Sequence, residues 1–325
     1  MAATAGFVYL VDPFQVLRRS SGSPNFYAVE QFQIPGIARH YPYDAVVTGT
    51  STSNNFRPAD LAAAFGWNAV NFAIAGSTIG EQHAALDVAL ATGKARNIFW
   101  GLDPFAFRID GAPAFPYYLY REPGWRTAPY FVSLGALMHG VATIALAEGS
   151  RTSLAQWTET RAWDGQYSYG RAQVLGVWAN RRRLASTARP AAAALADRLV
   201  ADQVSLVRAN PSVQFRLVLL PYSILYQKLQ LEDHPGQFEA NCRLDAAIVD
   251  GVRELPNARV YNFRDAEDIT FDLDAFKDLL HFSGDVSRKI VRDVAADRRR
   301  VSVDSLDRGC ARLKAAAATY RVPLR

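Results

Sequence analysis

Cysteine is scarce in this chain. Cys242 and Cys310 are the only two, and neither stands in a Cys-x-x-Cys pair or beside a histidine, which argues against a structural zinc site. They are able to pair if the protein is exported, but a count of two is equally ordinary for a reduced cytosolic protein and decides nothing about compartment. Long hydrophobic runs are scarce as well. Met1 to Val11 is apolar but has no basic leader, so it is too short to span a bilayer and unlike a signal peptide. The chain is then either soluble or lacks an anchor that its native form carries. Tyr130 to Ala147 runs eighteen residues without a charge, yet it contains Ser133, Gly135, His139, Gly140 and Thr143. A crossing there would also put Ser51 and His281, singled out below, on opposite sides of a membrane. A buried or pocket-lining helix is expected instead. There is no internal repeat and no low-complexity linker. The charge excess is small, +5, and its densest clusters, Arg181-Arg182-Arg183 and Arg298-Arg299-Arg300, read as solvated helix faces. Nucleic acid is therefore not an expected partner.

What is present is ordinary globular material: 325 residues, 50% hydrophobic and 21% charged, enough for one sizeable core. Short apolar strands alternate with amphipathic helices from Asp44 onward, the pattern of a parallel sheet covered on both faces. Strands are expected at Asp44–Thr48, Ala69–Ile74, Asn97–Leu102, Gln214–Leu220 and Arg259–Phe263. Helices are expected near Pro58–Phe65, Gly80–Ala91, Ala191–Arg208, Phe238–Leu255 and Gly284–Arg298. Between Pro104 and about Pro190 the period is lost and aromatic residues crowd in, among them Phe115, Trp157, Trp163, Tyr167, Tyr169 and Trp178. This reads as an insertion capping the sheet, either a second small core or a substrate wall. The division is residues 1–43 as an extension, 44–298 as the α/β domain with its cap at about 104–190, and 299–325 as a peripheral helical tail.

In open α/β sheets ligands meet the loops at the carboxyl ends of strands, and three such loops carry chemistry. In Thr48-Gly49-Thr50-Ser51-Thr52-Ser53 the glycine permits a tight turn and the hydroxyls lie at a helix N-terminus. This is not the Gly-x-Ser-x-Gly elbow, because Ser53 replaces the second glycine. Helix capping, a phosphate cradle and a nucleophile all fit it. In Ala73-Ile74-Ala75-Gly76-Ser77 the glycine lets a backbone N–H approach a bound group, or simply makes a turn. In Asp278-Leu279-Leu280-His281 the carboxylate can fold back onto one ring nitrogen and leave the other to take a serine proton. The remaining histidines, His40, His83, His139 and His234, have no such partner.

All three loops fall at one edge of the expected sheet, and their order resembles the SGNH (GDSL-like) hydrolase superfamily over roughly Asp44 to Arg298. Gly49-Thr50-Ser51 stands where that superfamily has Gly-Asp-Ser. Val11-Asp12-Pro13, Thr52-Ser53-Asn54-Asn55-Phe56 and Gly101-Leu102-Asp103 further resemble membrane-tethered envelope proteins related to the DltD and AlgX/AlgJ acyl-transfer factors. The resemblance implies a doubly wound, flavodoxin-like three-layer α/β sandwich with an aromatic-rich helical insertion. It implies Ser51, Asp278 and His281 as catalytic residues, with the amides of Ser51 and Gly76 binding an oxyanion. It also implies a serine esterase or O-acyltransferase without cofactor or metal, in the periplasm or otherwise outside the cytoplasm. The implied partners are an acylated carbohydrate polymer and a membrane acyl-donor protein. One departure stands out: Asp103 occupies the place of the superfamily's asparagine, whose amide helps bind the oxyanion. Either Asn54 or Asn55 substitutes for that amide, or Asp103 serves to hold the loop.

Overall fold

The computed structural model describes residues 2–20, 24–108, 115–146, 150–162, 164–181, 193–234 and 236–323; Trp163, Arg182 and Arg183 of the readings above lie outside them. Its five strands are β1 (Ala45–Thr48), β2 (Ala69–Asn71), β3 (Asn97–Leu102), β4 (Gln214–Leu219) and β5 (Ala258–Asn262). All pair in parallel in the order β2-β1-β3-β4-β5, the doubly wound order expected. The strands are nearly continuous apolar runs because both faces are covered. Val46, Ile98, Leu217 and Val260 pack into one hydrophobic layer, and Val47, Phe99, Val218 and Tyr261 into the other. Each such side chain, fully buried, contributes about 1.5–3 kcal/mol relative to exposure.

The chain begins with α1 (Ala2–Val11) and α2 (Glu30–His40). Next, α3 (Pro58–Phe65) starts on a proline and stops at Gly66, whose φ is +73°; α4 (Ile79–Ala91) starts on a Thr78–Glu81 capping box. The insertion holds α5 (Ala128–Phe131), α6 (Leu134–Ala145), α7 (Leu154–Arg161) and α8 (Arg171–Ala179). Then come α9 (Ala193–Ala209), α10 (Ile224–Asp233), α11 (Gln237–Val252), α12 (Glu267–Thr270), α13 (Gly284–Ala295) and α14 (Val303–Thr319). Apolar sides of α2, α4, α9 and α11 cover the first layer, and those of α3, α10, α13 and α14 the second, which makes the three-layer sandwich.

Among the described residues the insertion does not build a core of its own. Leu119, Tyr120, Tyr130 and Trp157 join the first layer together with Val8, Phe14 and Phe26 of the N-terminal segment, whereas Val174, Leu175 and Trp178 join the second. Tyr130 donates its hydroxyl to Asp12, which also accepts the backbone N–H of Val16, Leu17 and Arg18. Val11-Asp12-Pro13 is thus a structural corner that docks the insertion. The C-terminal helix α14 is bonded to α11 through the Cys242–Cys310 disulfide and buries Leu306 and Leu313.

Two local expectations change. The stretch from Tyr130 to Ala147, of which Ala147 lies outside the described residues, is not one buried helix up to Leu146: it breaks between α5 and α6, bent by 62°, and Leu134, Met138, Val141 and Ile144 are exposed. β2 stops at Asn71 rather than Ile74. It is an edge strand, so beyond its end the Asn71 side chain accepts the Ala73 N–H and the buried Arg161 takes the carbonyls of Asn71 and Ala73.

Candidate active site

Ser51 sits directly after β1, at the first position of a single 3₁₀ turn, Ser51–Ser53. Gly49 makes the turn possible. Its φ is +144°, and a Cβ there would lie 2.7 Å from the Gly101 carbonyl and collide with Ser53. The helix expected at this loop does not begin until Pro58, seven residues later, so Ser51 does not sit at the positive end of α3. Arg57, extended ahead of Pro58, separates the two. The dipole of α3 is therefore not aimed at Ser51.

The Asp278–His281 loop arrives from the far edge of the sheet as a closed bend. Phe276 and Phe282, both buried, pair across its base, and Lys277 N–H donates to the His281 carbonyl at 3.0 Å. Its apex is fastened by Ser223, whose N–H and hydroxyl both donate to the Leu279 carbonyl. Asn55 joins the two loops directly: its Nδ2 donates to the Phe282 carbonyl at 2.9 Å and to the Tyr169 hydroxyl at 3.3 Å.

This clamping brings three of the expected residues together. Ser51 Oγ lies 2.8 Å from His281 Nε2, and His281 Nδ1 lies 2.8 Å from Asp278 Oδ2. The second carboxylate oxygen of Asp278 accepts the N–H groups of Leu280 and His281, each at 2.8 Å. That fixes the carboxylate and, through it, the tautomer in which Nδ1 carries the proton and Nε2 can accept from serine. Burial pushes the Asp278 carboxyl up, but the imidazole of His281 and the two N–H donors outweigh it and hold the group at about 2.

Asp103 lies beneath the same loop, 1% exposed. One of its carboxylate oxygens accepts the hydroxyls of both Thr50 and Thr52 at 2.6 Å, and the other accepts the Tyr222 hydroxyl. Of the alternatives open for this residue, the geometry is that of a loop anchor: the carboxylate grips the residues on either side of Ser51. It also takes the Thr50 and Thr52 hydroxyls, two of those expected to cradle a phosphate. Behind it the buried Arg264 pairs with Asp245 and donates to the Leu102 and Leu220 carbonyls, tying the ends of β3 and β4. Burial alone would lower this guanidinium; Asp245 overrides that and raises it.

Gly76 stands in a left-handed turn, φ +67°, at the surface of the next loop. That loop is laced to the serine loop through the Gly49 carbonyl, which accepts Ile74 N–H at 3.0 Å and the Ser77 hydroxyl at 3.3 Å. Arg108 donates to the Gly76 carbonyl at 2.6 Å. Asn54, by contrast, is buried at the end of the 3₁₀ turn, and its Oδ1 meets no donor among the described residues. The sequence reading missed Tyr222, Arg108 and Arg161; Tyr222, in Pro221-Tyr222-Ser223 after β4, was the one with a visible signal, a polar group at a strand's carboxyl end.

Fold and site together define a doubly wound parallel α/β protein with a Ser–His–Asp hydrogen-bonded chain at the carboxyl edge of its sheet. No protein-family model, no curated protein and no solved structure matches this chain.

Proposed function

We propose that this chain is a serine-dependent esterase or O-acyltransferase of the SGNH type, acting on acyl esters, acetyl above all, of a cell-envelope or exported polysaccharide. The observation that carries the reading is the unbroken run from Ser51 Oγ through both ring nitrogens of His281 to Asp278, each step 2.8 Å. In the proposed reaction Ser51 Oγ attacks the acyl carbon while His281 Nε2 takes its proton. The carbonyl oxygen becomes an oxyanion facing the backbone N–H groups of Ser51 and Gly76. Collapse expels the alcohol, which takes the proton back from His281 and leaves an acyl-Ser51 ester. Water or a sugar hydroxyl, deprotonated by His281, then attacks that ester and restores serine; the choice of acceptor separates hydrolysis from transfer. Asp103 in place of an amide leaves one oxyanion donor fewer, which lowers the rate on the order of a hundredfold without removing the route.

Two features support a carbohydrate substrate outside the cytoplasm. Tyr167, from the insertion, is 49% exposed with its ring 4.1 Å from the Lys277 ammonium, next to Asp278, and so offers a stacking face beside the site. The Cys242–Cys310 disulfide fits an oxidising compartment. Incubation with a serine-directed phosphonate, read by intact mass, tests the proposal. The wild type gains one adduct, Ser51→Ala gains none, and His281→Ala loses most of the labelling. A wild type that neither labels nor cleaves p-nitrophenyl acetate overturns the reading. The alternative favoured by Asp103, a carbohydrate-binding or assembly protein that keeps the fold without turnover, then takes its place.

A further inference from the structure

The exposed apolar side chains are not scattered over this protein. Of the ten large hydrophobic residues exposed among the described residues, eight belong to α1, α6, the turn leading into α5 and the α5–α6 junction. On α6, Leu134, Met138, Val141 and Ile144 follow helical spacing along one outward stripe and are 54–69% exposed. The inward side of the same helix carries Leu137 together with polar and small residues. Thr143 Oγ1 and the His139 carbonyl both bond the Tyr27 hydroxyl, and Ala136 and Gly140 are buried. A Cβ on Gly140 would lie 2.8 Å from the Phe7 ring of α1, so the glycine is what lets the two helices close together. A helix at a water-facing surface buries its apolar stripe and shows its polar one; α6 does the reverse.

The edges of this face are aromatic and basic. Tyr9 is 54% exposed and Trp125 82%, and each lies under a guanidinium, Arg18 at 5.1 Å and Arg126 at 5.3 Å. Arg18 also donates to the Leu10 carbonyl at 2.8 Å, and Arg151 donates to the Thr143 carbonyl at 3.2 Å at the far end of α6. Neither α1 nor α5 nor α6 contains a charged residue. The acid of the adjoining loop, Glu122, lies close enough to Arg39 to raise its basicity, against the burial that lowers it. An apolar centre, amphipathic aromatics at its rim and cations beyond them are what a membrane surface with anionic headgroups recognises.

We propose that the face formed by α1 and the α5–α6 pair docks this protein on the surface of an anionic lipid bilayer. No single described helix is long and apolar enough to cross a membrane, and the inner side of α6 is committed to α1 and Tyr27. The face therefore lies in the interface with only its outer stripe among the acyl chains. This inference is independent of the chemistry at Ser51.

Flotation of the full chain with vesicles tests it, comparing pure phosphatidylcholine with an equimolar mixture of phosphatidylcholine and phosphatidylglycerol. The wild type floats with the mixed vesicles and at least tenfold less with the neutral ones. Met138→Glu/Val141→Glu, at exposed positions and checked for an unchanged near-ultraviolet circular dichroism spectrum, abolishes flotation. Arg18→Gln and Arg126→Gln each weaken it roughly fivefold on mixed vesicles, and Ser51→Ala floats as the wild type does. Absence of flotation on both vesicle types overturns the proposal. So does self-association in sedimentation that the double glutamate variant removes while lipid binding is absent, since the occupant of the face is then a second copy of the chain.

Discussion

At Asp103 a buried carboxylate, which can only accept, is surrounded by three hydroxyls. Its role is to hold the backbone from which Ser51 projects, so the first effect of disturbing it is on stability. Tyr222→Phe removes one donor from a buried charge and is expected to lower unfolding free energy by about 1.5–3 kcal/mol in urea titration. Asp278 works in the opposite sense, orienting rather than anchoring. Asp278→Asn keeps the shape but loses the Nδ1–H acceptor that sets the tautomer, and kcat on a simple ester is expected to fall about 10⁴-fold. Because the folded-state value of Asp278 lies at about 2, below the ordinary carboxylate range, its contribution to stability is complete above that range and is lost as pH falls through it toward 2. Chemical denaturation should show the wild type losing on the order of 2 kcal/mol relative to Asp278→Asn over that interval.

The elements place these residues by backbone constraints that single side chains cannot relax. The serine loop passes so close to β3 that the ends of the two meet at Gly49 and Gly101, with Ser53 wedged between them. Gly49→Ala meets both a φ of +144° and the Gly101 carbonyl, so it is expected to lower stability by more than about 2 kcal/mol and to abolish phosphonate labelling, read by the urea midpoint and by mass. At the other end of the chain, α14 is held to α11 by a bond spanning 68 residues. Replacing both cysteines by serine frees that loop in the unfolded chain, which is expected to lower stability by about 4 kcal/mol while leaving the distant Ser51–His281 geometry able to label. Helix α6 is the element least governed by its own composition: its charge-free run suggested burial, whereas its inner side is filled by Tyr27 and α1, which leaves its apolar stripe outward.

Across the whole molecule, 230 positions of chain separate Ser51 from His281, and the sheet closes that gap. β1 lies second in the sheet and β5 last, so the loops after the first strand and after the last meet only because a parallel sheet delivers every carboxyl end to one edge. The order of apolar runs and helical periods was enough to determine the five strands, their parallel sense and the edge at which polar loops gather, since those follow from local periodicity and burial. Ser51, Asp278 and His281 were legible for the same reason, as polar residues in loops at strand ends. Tertiary packing decided the rest. That Asp103 is turned to the serine loop depends on Tyr222, 119 positions away. Which side of α6 meets the protein depends on residues far from it in sequence. Local pattern records which residues want to be buried; only the assembled neighbours determine which of them are.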